Sequence, residues 1–409
     1  MPSLDIATVR SAFPALSSGF LYADNAGGSQ CLADAVAHIS DYLLNTNVQL
    51  GADYAVSQKS TSRVASGADA AKELFNADSV DEVAFGSSAT MLVENLARAI
   101  DKDVNEGDEI IVTGEHEANA GPWKRLARRG AIIKLWRPSQ IAASPNNPYA
   151  VSLQLEALLP LVTAKTRLLA FTACSNILGS VVPVKQIVRA VREKARELGV
   201  PKLEVCVDCV AYAPHRRIDV KDWDIEYCVF SVYKVYGPHA SVLYIRAPAL
   251  THSLSSLAHH FLSVDTKPYK VQPGGPGYEI VYGCTAVPPY LKSLAPSGAL
   301  ADAYDLIAEH EQTLLKPLLA YAPGQDGQGA CGFFVVAGER PIRSKDVVKA
   351  FDDRGDIGIR YGHFYAYTLV DTLQPKLDVD DAVVRISFVH YNTVEEVEKI
   401  IKVLDEVLA

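Results

Sequence analysis

The chain has 409 residues, more than one compact core usually serves, so we expect two domains. Hydrophobic residues make up 49% and charged residues 21% of the chain, an ordinary balance for a globular protein. The net charge of −9 argues against a nucleic-acid-binding or membrane-surface protein, which would carry a basic surface. Neither a secretory signal nor a membrane-spanning run is found, so a cytoplasmic location is predicted.

Seven cysteines are distributed along the chain, and their pattern does not match a metal site. Cys206 and Cys209 form a CxxC pair, but no second pair or histidine cluster accompanies it. Because most of the other cysteines lie in apolar runs, we interpret them as reduced core residues rather than disulfide partners or metal ligands.

Short runs rich in β-branched residues alternate with helical patterns over the first two thirds of the chain. Several runs are apolar on both faces, as a buried and mainly parallel sheet requires. Between them, Pro183–Gly199 has the periodicity of an amphipathic helix. The alternation predicts an α/β sheet covered by helices. The predicted strands are Glu109–Gly114, Ala131–Trp136, Thr166–Ala173, Leu203–Val210, Tyr227–Tyr233 and Ser241–Arg246.

The pattern changes after about residue 275. A turn-rich segment and a long helical stretch precede a predicted strand over Val383–Asn392, and Thr393 and Glu396 form a capping box at the start of the last helix. We therefore predict a large α/β domain over residues 21–275 and a smaller α+β domain formed by residues 1–20 and 276–409. The apolar face of the last helix is predicted to contain Val397, Ile400, Ile401, Leu404 and Leu408.

Polar residues follow several predicted strands, at the edge of an α/β sheet where ligands commonly bind. Ser87 and Ser88 lead from a strand into a helix, where hydroxyls and backbone N–H groups suit a phosphate, although a simple serine cap gives the same pattern. His116 follows another strand and suits either stacking on a flat heteroaromatic ring or a structural role. Asn176 suits either a ligand hydroxyl or a turn.

Two charged residues belong to apolar surroundings: Asp208 lies within a predicted strand, and Lys234 lies at the end of another. Asp208 needs a cationic partner, and because no lysine or arginine is adjacent in sequence, a cationic ligand group would serve. Lys234, three residues after Ser231, is flanked by Phe230, Tyr233 and Tyr236, so we expect a lowered pKa and an amine able to form an imine with an aldehyde. A lysine that extends along the strand end toward water is the alternative.

Phosphate, flat ring, ring hydroxyl, ring cation and aldehyde are together the five groups of pyridoxal 5′-phosphate (PLP). In this interpretation Asp208 pairs with the pyridinium nitrogen, which makes the ring an electron sink, and Lys234 holds the aldehyde. The sequence therefore predicts PLP as the cofactor.

With these positions in this order, the chain resembles the class V aminotransferases, in the cysteine-desulfurase-like branch of fold-type I PLP enzymes. The similarity extends from Phe20–Gln30 (FLYADNAGGSQ) to Arg385–Val397 (RISFVHYNTVEEV). It implies a large domain with a mainly parallel seven-stranded sheet, a smaller α+β domain, and a homodimer with shared active sites. The implied cofactor contacts are Ser87, Ser88 and Ser231 at the phosphate, His116 and Val210 on the two ring faces, Asn176 at the ring oxygen, Asp208 at the ring nitrogen, Lys234 at the aldehyde and Gly275 at the phosphate of the neighbouring subunit.

The resemblance also implies contacts with an amino-acid substrate. Arg360 and Arg385 match the arginines that bind the α-carboxylate, and Asn25 and Tyr365 match neighbouring substrate positions. A surface position on its strand is the alternative for Arg385.

Three departures from the family pattern concern the chemistry. Tyr365 takes the position of the cysteine that attacks substrate sulfur in desulfurases, and tyrosine cannot carry a persulfide. Ala211 replaces the usual glutamine, and Tyr233 replaces the usual histidine before the lysine. Two proton-handling positions of desulfurases are therefore altered.

This altered set is similar to a fungal secondary-metabolism branch of the family that includes loline- and ustiloxin-pathway enzymes. The similarity implies an external aldimine, a carbanion or enamine, and C–C bond formation by Mannich-type cyclisation or decarboxylative coupling, with alkaloid biosynthesis as the setting. Lys234, His116 and Tyr233 are the predicted catalytic residues, and Tyr233 and Tyr365 are either proton donors or walls of the cavity. Cysteine desulfurase, C–S lyase, epimerase and a non-catalytic scaffold remain as alternatives.

Overall fold

The structure is a computed structural model that describes residues 3–321, 331–336 and 341–408. Within these ranges no helix is both long and apolar enough to cross a lipid bilayer. The strands are β1 (Leu21–Tyr22), β2 (Val83–Gly86), β3 (Glu109–Thr113), β4 (Ile132–Trp136), β5 (Ser139–Gln140), β6 (Val151–Ser152), β7 (Thr166–Thr172), β8 (Glu204–Asp208), β9 (Tyr227–Ser231), β10 (Ser241–Ile245), β11 (Cys331–Phe334), β12 (Ile357–Gly358), β13 (Arg360–Gly362) and β14 (Val383–Ser387). The helices are α1 (Ile6–Ser11), α2 (Ala33–Asn45), α3 (Ala55–Phe75), α4 (Ala89–Ile100), α5 (Gly121–Lys124), α6 (Leu155–Leu158), α7 (Val184–Glu197), α8 (Val220–Trp223), α9 (Ala247–His252), α10 (Tyr278–Gly283), α11 (Val287–Ser293), α12 (Leu300–Tyr321), α13 (Ser344–Asp352), α14 (Tyr367–Thr372) and α15 (Val394–Leu408).

A seven-stranded sheet forms the centre of the molecule, in the order β2-β10-β9-β8-β7-β3-β4. All neighbouring strands are parallel except at β10, which runs antiparallel to both β2 and β9. The predicted mainly parallel sheet is therefore confirmed. Several strands end earlier than predicted because the chain turns at the sheet edge: β9 stops at Ser231, where a 3₁₀ turn over Val232–Lys234 begins.

Alternate residues of the central strands pack into two hydrophobic cores on opposite faces of the sheet. In β7, Leu169 and Phe171 join the core that contains helix α7, whereas Leu168 and Ala170 join the core that contains helix α4. This arrangement explains why the strands read as continuous apolar runs instead of alternating ones.

A three-stranded antiparallel sheet, β11-β14-β13, packs with the end of α12, with α13 and with α15 in a separate core. The predicted capping box is confirmed: the N–H of Thr393 donates to the Glu396 carboxylate, and the N–H of Glu396 donates to Thr393 Oγ1, each at 3.2 Å. On α15, Val397, Ile400 and Leu404 are buried in this core.

The predicted domain boundaries at residues 21 and 275 stay a prediction. Hydrophobic packing nevertheless crosses both of them. Leu21 belongs to the core of the three-stranded sheet, and β1 pairs with β12. Conversely, Phe13 and Val287 pack into a core of the seven-stranded sheet. Residues from both the N-terminal and the C-terminal parts of the chain thus contribute to the cores of both sheets.

Candidate active site

The carboxyl ends of the parallel strands surround a cavity of about 80 Å³. Strand β7 leads to Asn176, β8 leads to Asp208 and Val210, β9 leads to the turn with Lys234, and α4 begins beside Ser88. Parallel strands place their carboxyl ends at one edge, which explains why residues far apart in sequence meet here. The predicted site residues that line this cavity are Ser88, His116, Asn176, Asp208, Val210, Ser231, Tyr233 and Lys234.

Lys234 is buried in this cavity with only 6% of its surface exposed. Its Nζ donates a hydrogen bond to the Ala26 carbonyl. Burial, and next the positive charge of Arg385, lower the Lys234 pKa to about 8, against 10.5 for an ordinary lysine. At pH 7 about 9% of the amine is then neutral, instead of about 0.03%. The predicted lowered pKa is confirmed, and this amine is prepared for attack on an aldehyde.

Asp208 is a buried carboxyl group that a cationic ligand would stabilise. Its Oδ1 accepts a hydrogen bond from the Val210 N–H at 2.9 Å. Burial raises the pKa of Asp208 to about 6, although the Val210 hydrogen bond and the charge of Lys234 oppose the shift. A protonated pyridine nitrogen in the cavity would supply the missing positive charge.

His116 presents a neutral ring to the same cavity. Burial, and then the charges of Lys234 and Arg385, lower its pKa to about 4. Its Nδ1 accepts from the Ala118 N–H at 3.2 Å, so the ring proton lies on Nε2. A neutral imidazole of fixed orientation suits stacking on a flat aromatic ligand.

The three serine residues predicted at the phosphate line two neighbouring cavities. Ser88 caps α4, since its Oγ accepts from the Met91 N–H at 3.1 Å, and the Oγ of Ser231 lies 2.8 Å from the Oγ of Ser241. Ser87 lines a neighbouring, larger cavity of about 460 Å³ together with Gly275 of the same chain.

The Tyr233 ring forms part of the wall between the two cavities. It stacks on His239 with ring centroids 5.0 Å apart and planes 15° apart, and His239 lines the larger cavity. Burial raises the pKa of the Tyr233 phenol, so its hydroxyl is protonated and able to donate. Glycine at position 28 leaves room for the ring, because a Cβ there would lie 3.3 Å from the tyrosine Cδ2.

The two predicted carboxylate-binding arginines meet at a single aspartate. Arg385 is only 2% exposed, and its Nη2 lies 2.8 Å from Asp24 Oδ1. Arg360 lies opposite Arg385 across the β13–β14 pair, and its Nη1 lies 3.5 Å from Asp24 Oδ2. The Arg385 guanidinium also lies 3.7 Å from the centre of the Phe364 ring. The surface alternative for Arg385 is therefore wrong.

A short loop after β13 packs against His116 and Asn176, two residues that line the cavity. Phe364 and Tyr365 both have left-handed backbone conformations, with φ of 47° and 61°, which cost about 1–2 kcal/mol each. Two hydrogen bonds hold the loop in place: the Phe364 carbonyl accepts from Asn176 Nδ2 at 2.9 Å, and the Tyr365 carbonyl accepts from the Glu117 N–H at 2.8 Å. The Tyr365 ring, 68% exposed, lies 5.4 Å from the His116 ring.

The Asn25 side-chain amide forms hydrogen bonds with other parts of the protein. Its Nδ2 donates to the carbonyls of Tyr22 and Ser387, at 2.8 and 3.1 Å, and to Asn392 Oδ1, and its Oδ1 accepts from the Tyr391 hydroxyl. The side chain ties the N-terminal segment to the C-terminal one. Its predicted substrate contact stays a prediction.

Two residues near the cavity were missed from the sequence. Glu115 is buried, accepts from Ser175 Oγ at 2.7 Å, and has a pKa raised by burial to about 7. Cys174 lines the cavity and is buried. Glu115 directly precedes His116, and Cys174 lies two residues before Asn176, so each is close to a residue that the sequence did single out. Their position close to the end of a predicted strand was therefore the sequence signal that could have identified them.

The mainly parallel sheet, together with a buried lysine and aspartate at its carboxyl edge, defines a PLP-binding enzyme of fold type I. The residues present fit the cofactor: a lysine with a lowered pKa, an incompletely compensated aspartate, a neutral imidazole and hydroxyls at the start of α4 share one cavity.

Comparison with known proteins agrees with this class. The class V aminotransferase family model matches residues 21–400. The chain is 40% identical to the aminotransferase-like protein FGM3 of Gibberella zeae over 425 residues, which cover 99% of each protein. It is 32% identical to the cysteine desulfurase-like protein ustD of Aspergillus flavus, with 99% of this chain and 91% of ustD covered. The crystal structure of cysteine desulfurase CsdA from Escherichia coli superposes with a TM-score of 0.82 at 23% identity, covering 100% of this chain and 99% of CsdA.

The chain therefore belongs to the class V aminotransferase family, and it is a PLP-dependent enzyme. A non-catalytic scaffold is no longer a useful alternative.

Proposed function

We propose that the enzyme forms a C–C bond at the Cα of an amino-acid substrate in secondary metabolism. Bound PLP would supply an electron sink for the charge that develops at Cα. The observation that carries the proposal is the exposed Tyr365 beside the cavity-lining His116, at the position where the family resemblance places the reactive thiol of a desulfurase. Ring closure by a Mannich-type reaction and decarboxylative coupling are both compatible with this proposal.

Each residue around the cavity has a proposed role. Lys234 would hold the aldehyde of the cofactor, and its amine would remove or return a proton at the substrate Cα. Asp208 keeps the ring nitrogen protonated, and His116 fixes the ring by stacking. Ser88 and Ser231 bind the phosphate, and Val210 lies against the second ring face. These assignments rest on the shared cavity and on the pKa values given above.

The substrate carboxylate is proposed to bind at the arginine pair. Asp24 forms an ion pair with both Arg360 and Arg385, so this aspartate sets the spacing and orientation of the two guanidinium groups. Arg360 is exposed, and its second edge is therefore accessible to an incoming carboxylate. Tyr365 lies on the same loop as Phe364, which packs against Arg385, so substrate binding and loop position are proposed to be linked.

A homodimer with shared sites is also proposed. Ser87 and Gly275 line an open cavity at the molecular surface, and the half-exposed Met91 lies in the same cavity wall. A second subunit seated there would cover apolar surface next to the phosphate position.

The predicted cytoplasmic location stays a prediction.

Cysteine desulfurase is the second candidate, because Cys174 lines the Lys234 cavity. We expect the PLP-loaded enzyme, incubated with cysteine, to release no more sulfide and alanine than a Lys234→Ala variant. The physical reason is that the Cys174 side chain is buried and its Sγ faces the Ser175 carbonyl, 3.7 Å away. Sulfide release with a persulfide on a protein cysteine would contradict C–C bond formation, and its loss in Cys174→Ser would identify the carrier.

Removal of the exposed arginine should weaken substrate binding without unfolding the protein. For Arg360→Met we expect KM for the amino-acid substrate to rise by about 10- to 150-fold, the loss of about 1.5–3 kcal/mol for a charged hydrogen bond. Thermal unfolding should be nearly unchanged because the side chain is exposed. Arg343→Met is the matched control, since Arg343 is a comparably exposed arginine that lies 3.8 Å from an aspartate. Equal KM values in the two variants would show that Arg360 does not bind substrate.

A further inference from the structure

A second, smaller cavity lies beside Lys234, with a volume of about 10 Å³. This volume corresponds to about one water molecule. Its wall includes Lys234, Ala211, Asn25 and His215. Ala211 also lines the cofactor cavity, so the two spaces adjoin at its short side chain. No role has yet been assigned to His215.

His215 is held by a buried carboxylate on another element. Its Nδ1 lies 2.7 Å from Oε1 of Glu311, a residue of α12 that is 1% exposed. Arg216 Nη1 donates to the second oxygen, Oε2, at 3.1 Å. An ionised carboxylate only accepts hydrogen bonds, so the His215 Nδ1 carries a proton. Among the residues that the structure describes, Nε2 has no hydrogen-bond partner, and it is the ring nitrogen left for the cavity.

The orientation of a histidine by a carboxylate is a common way to prepare the second ring nitrogen for proton transfer. Lys234 needs such a partner, because it must be neutral to attack an aldehyde and must take up a proton again when it acts as a base. A water in the small cavity would have the Lys234 amine and the His215 ring as polar neighbours, as a buried water requires.

We infer that His215, oriented by Glu311, is a positioning residue that exchanges a proton with Lys234 through a water in the small cavity. In the forward direction an Nζ–H bond of Lys234 breaks as the water accepts that proton, and the water gives one of its own to His215 Nε2. The reverse transfer restores the lysine proton, so no proton is gained or lost. This inference rests on the proposed role of Lys234.

Other titratable groups around His215 do not compete for this proton near neutral pH. Burial lowers the pKa of His390 to about 3, so that ring is neutral. Burial raises the pKa of the Tyr236 phenol well above its usual range, so it stays protonated. The Glu311 carboxylate is occupied by His215 and Arg216, as described above. Cys174, also in the cavity wall, already directs its Sγ to a backbone carbonyl.

The first test uses the ligand-free protein, so its result does not depend on cofactor chemistry. With ¹⁵N-labelled histidine, the ring signals lost in His215→Gln identify the His215 ring. At one fixed pH we expect Lys234→Ala to shift the Nε2 signal of His215, because loss of the amine changes the hydrogen bonding of the water next to Nε2. An unshifted Nε2 signal would overturn the inference, whatever the enzyme does with PLP.

The second test measures how fast PLP attaches to the ligand-free protein, followed by the visible absorbance of the attached cofactor. His215→Gln and Glu311→Gln are each expected to slow attachment by about 100-fold, the low end for assisted proton transfer, with the same final absorbance. His310→Gln is the matched control, because His310 is also on α12 but its Nε2 bonds to the Asn392 carbonyl. Unchanged rates in both variants would overturn the inference, whereas absence of attachment in the native protein would instead overturn the role of Lys234.

Discussion

Lys234→Ala is expected to abolish covalent binding of PLP and to lower turnover of any amino-acid substrate by at least about 10⁴-fold. Loss of the amine removes both the covalent anchor and the proposed base at Cα, and two roles on one atom explain an effect of this size. The measurements are the visible absorbance of the protein after incubation with PLP and gel filtration, and the steady-state rate.

The surroundings of Lys234 explain why we expect this particular lysine to bond to the cofactor. Its pKa is lowered to about 8 because it is buried and close to Arg385, and its Nζ is already held by the Ala26 carbonyl. Lys234→Arg should be as inactive as the alanine variant, since a guanidinium stays charged and cannot form the covalent bond. This second variant keeps a cation in the cavity, so it separates loss of nucleophilicity from loss of charge.

A buried lysine outside the site provides the matched control. Lys270 is also buried, donates to the Leu250 carbonyl at 2.8 Å, and has a pKa lowered by burial. Lys270→Met should therefore reproduce any general effect of removing a buried ammonium while it keeps the cofactor band. The assignment of Lys234 would be wrong if Lys234→Ala kept the band or if Lys270→Met lost it.

The residues at the cofactor cavity were predictable because of a property of parallel sheets. A polar residue near the carboxyl end of an apolar strand lies at the carboxyl edge of the sheet, and neighbouring strands bring such residues together. Asp208 and Lys234 were found in this way, and the structure places both in one cavity. Glu115 was missed because only His116 was considered after the predicted strand end at Gly114.

The contacts among the residues proposed to bind the substrate were harder to predict from the sequence. Asp24 and Arg385 are 361 residues apart, and neither apolar periodicity nor a motif indicates that they form an ion pair. The partnership of His215 with Glu311 depends on how α12 packs against the turn after β8, which is likewise a matter of tertiary structure. The packing of Phe13 on the seven-stranded sheet was missed for the same reason, because periodicity shows that a face is buried but not which core it enters.

Asp208→Asn is expected to reduce activity by about 10²- to 10⁴-fold while it stabilises the ligand-free protein. The loss of activity follows because a neutral amide does not keep the ring nitrogen protonated, which weakens the electron sink. The gain in stability follows from the raised pKa. Burial raises the Asp208 pKa to about 6 from 3.8, so the folded protein binds more protons than the unfolded chain between these pH values. The free energy of unfolding of the native protein therefore falls as pH rises through this window, by on the order of 3 kcal/mol.

The two effects have opposite signs, and this makes the prediction specific. Ligand-free Asp208→Asn should melt at a higher temperature than the native protein at pH 8 and at nearly the same temperature at pH 4, while its affinity for PLP is lower at pH 8. Glu109→Gln is the contrasting control. Glu109 is also a buried carboxyl, but Lys134 Nζ lies 2.6 Å from its Oε2, and although burial raises the Glu109 pKa, the hydrogen bond and charge of Lys134 lower it overall, so its loss should lower the melting temperature. A less stable Asp208→Asn protein at pH 8 would mean that the Asp208 charge is already compensated inside the protein, and the cavity would then have no need of a cationic ring.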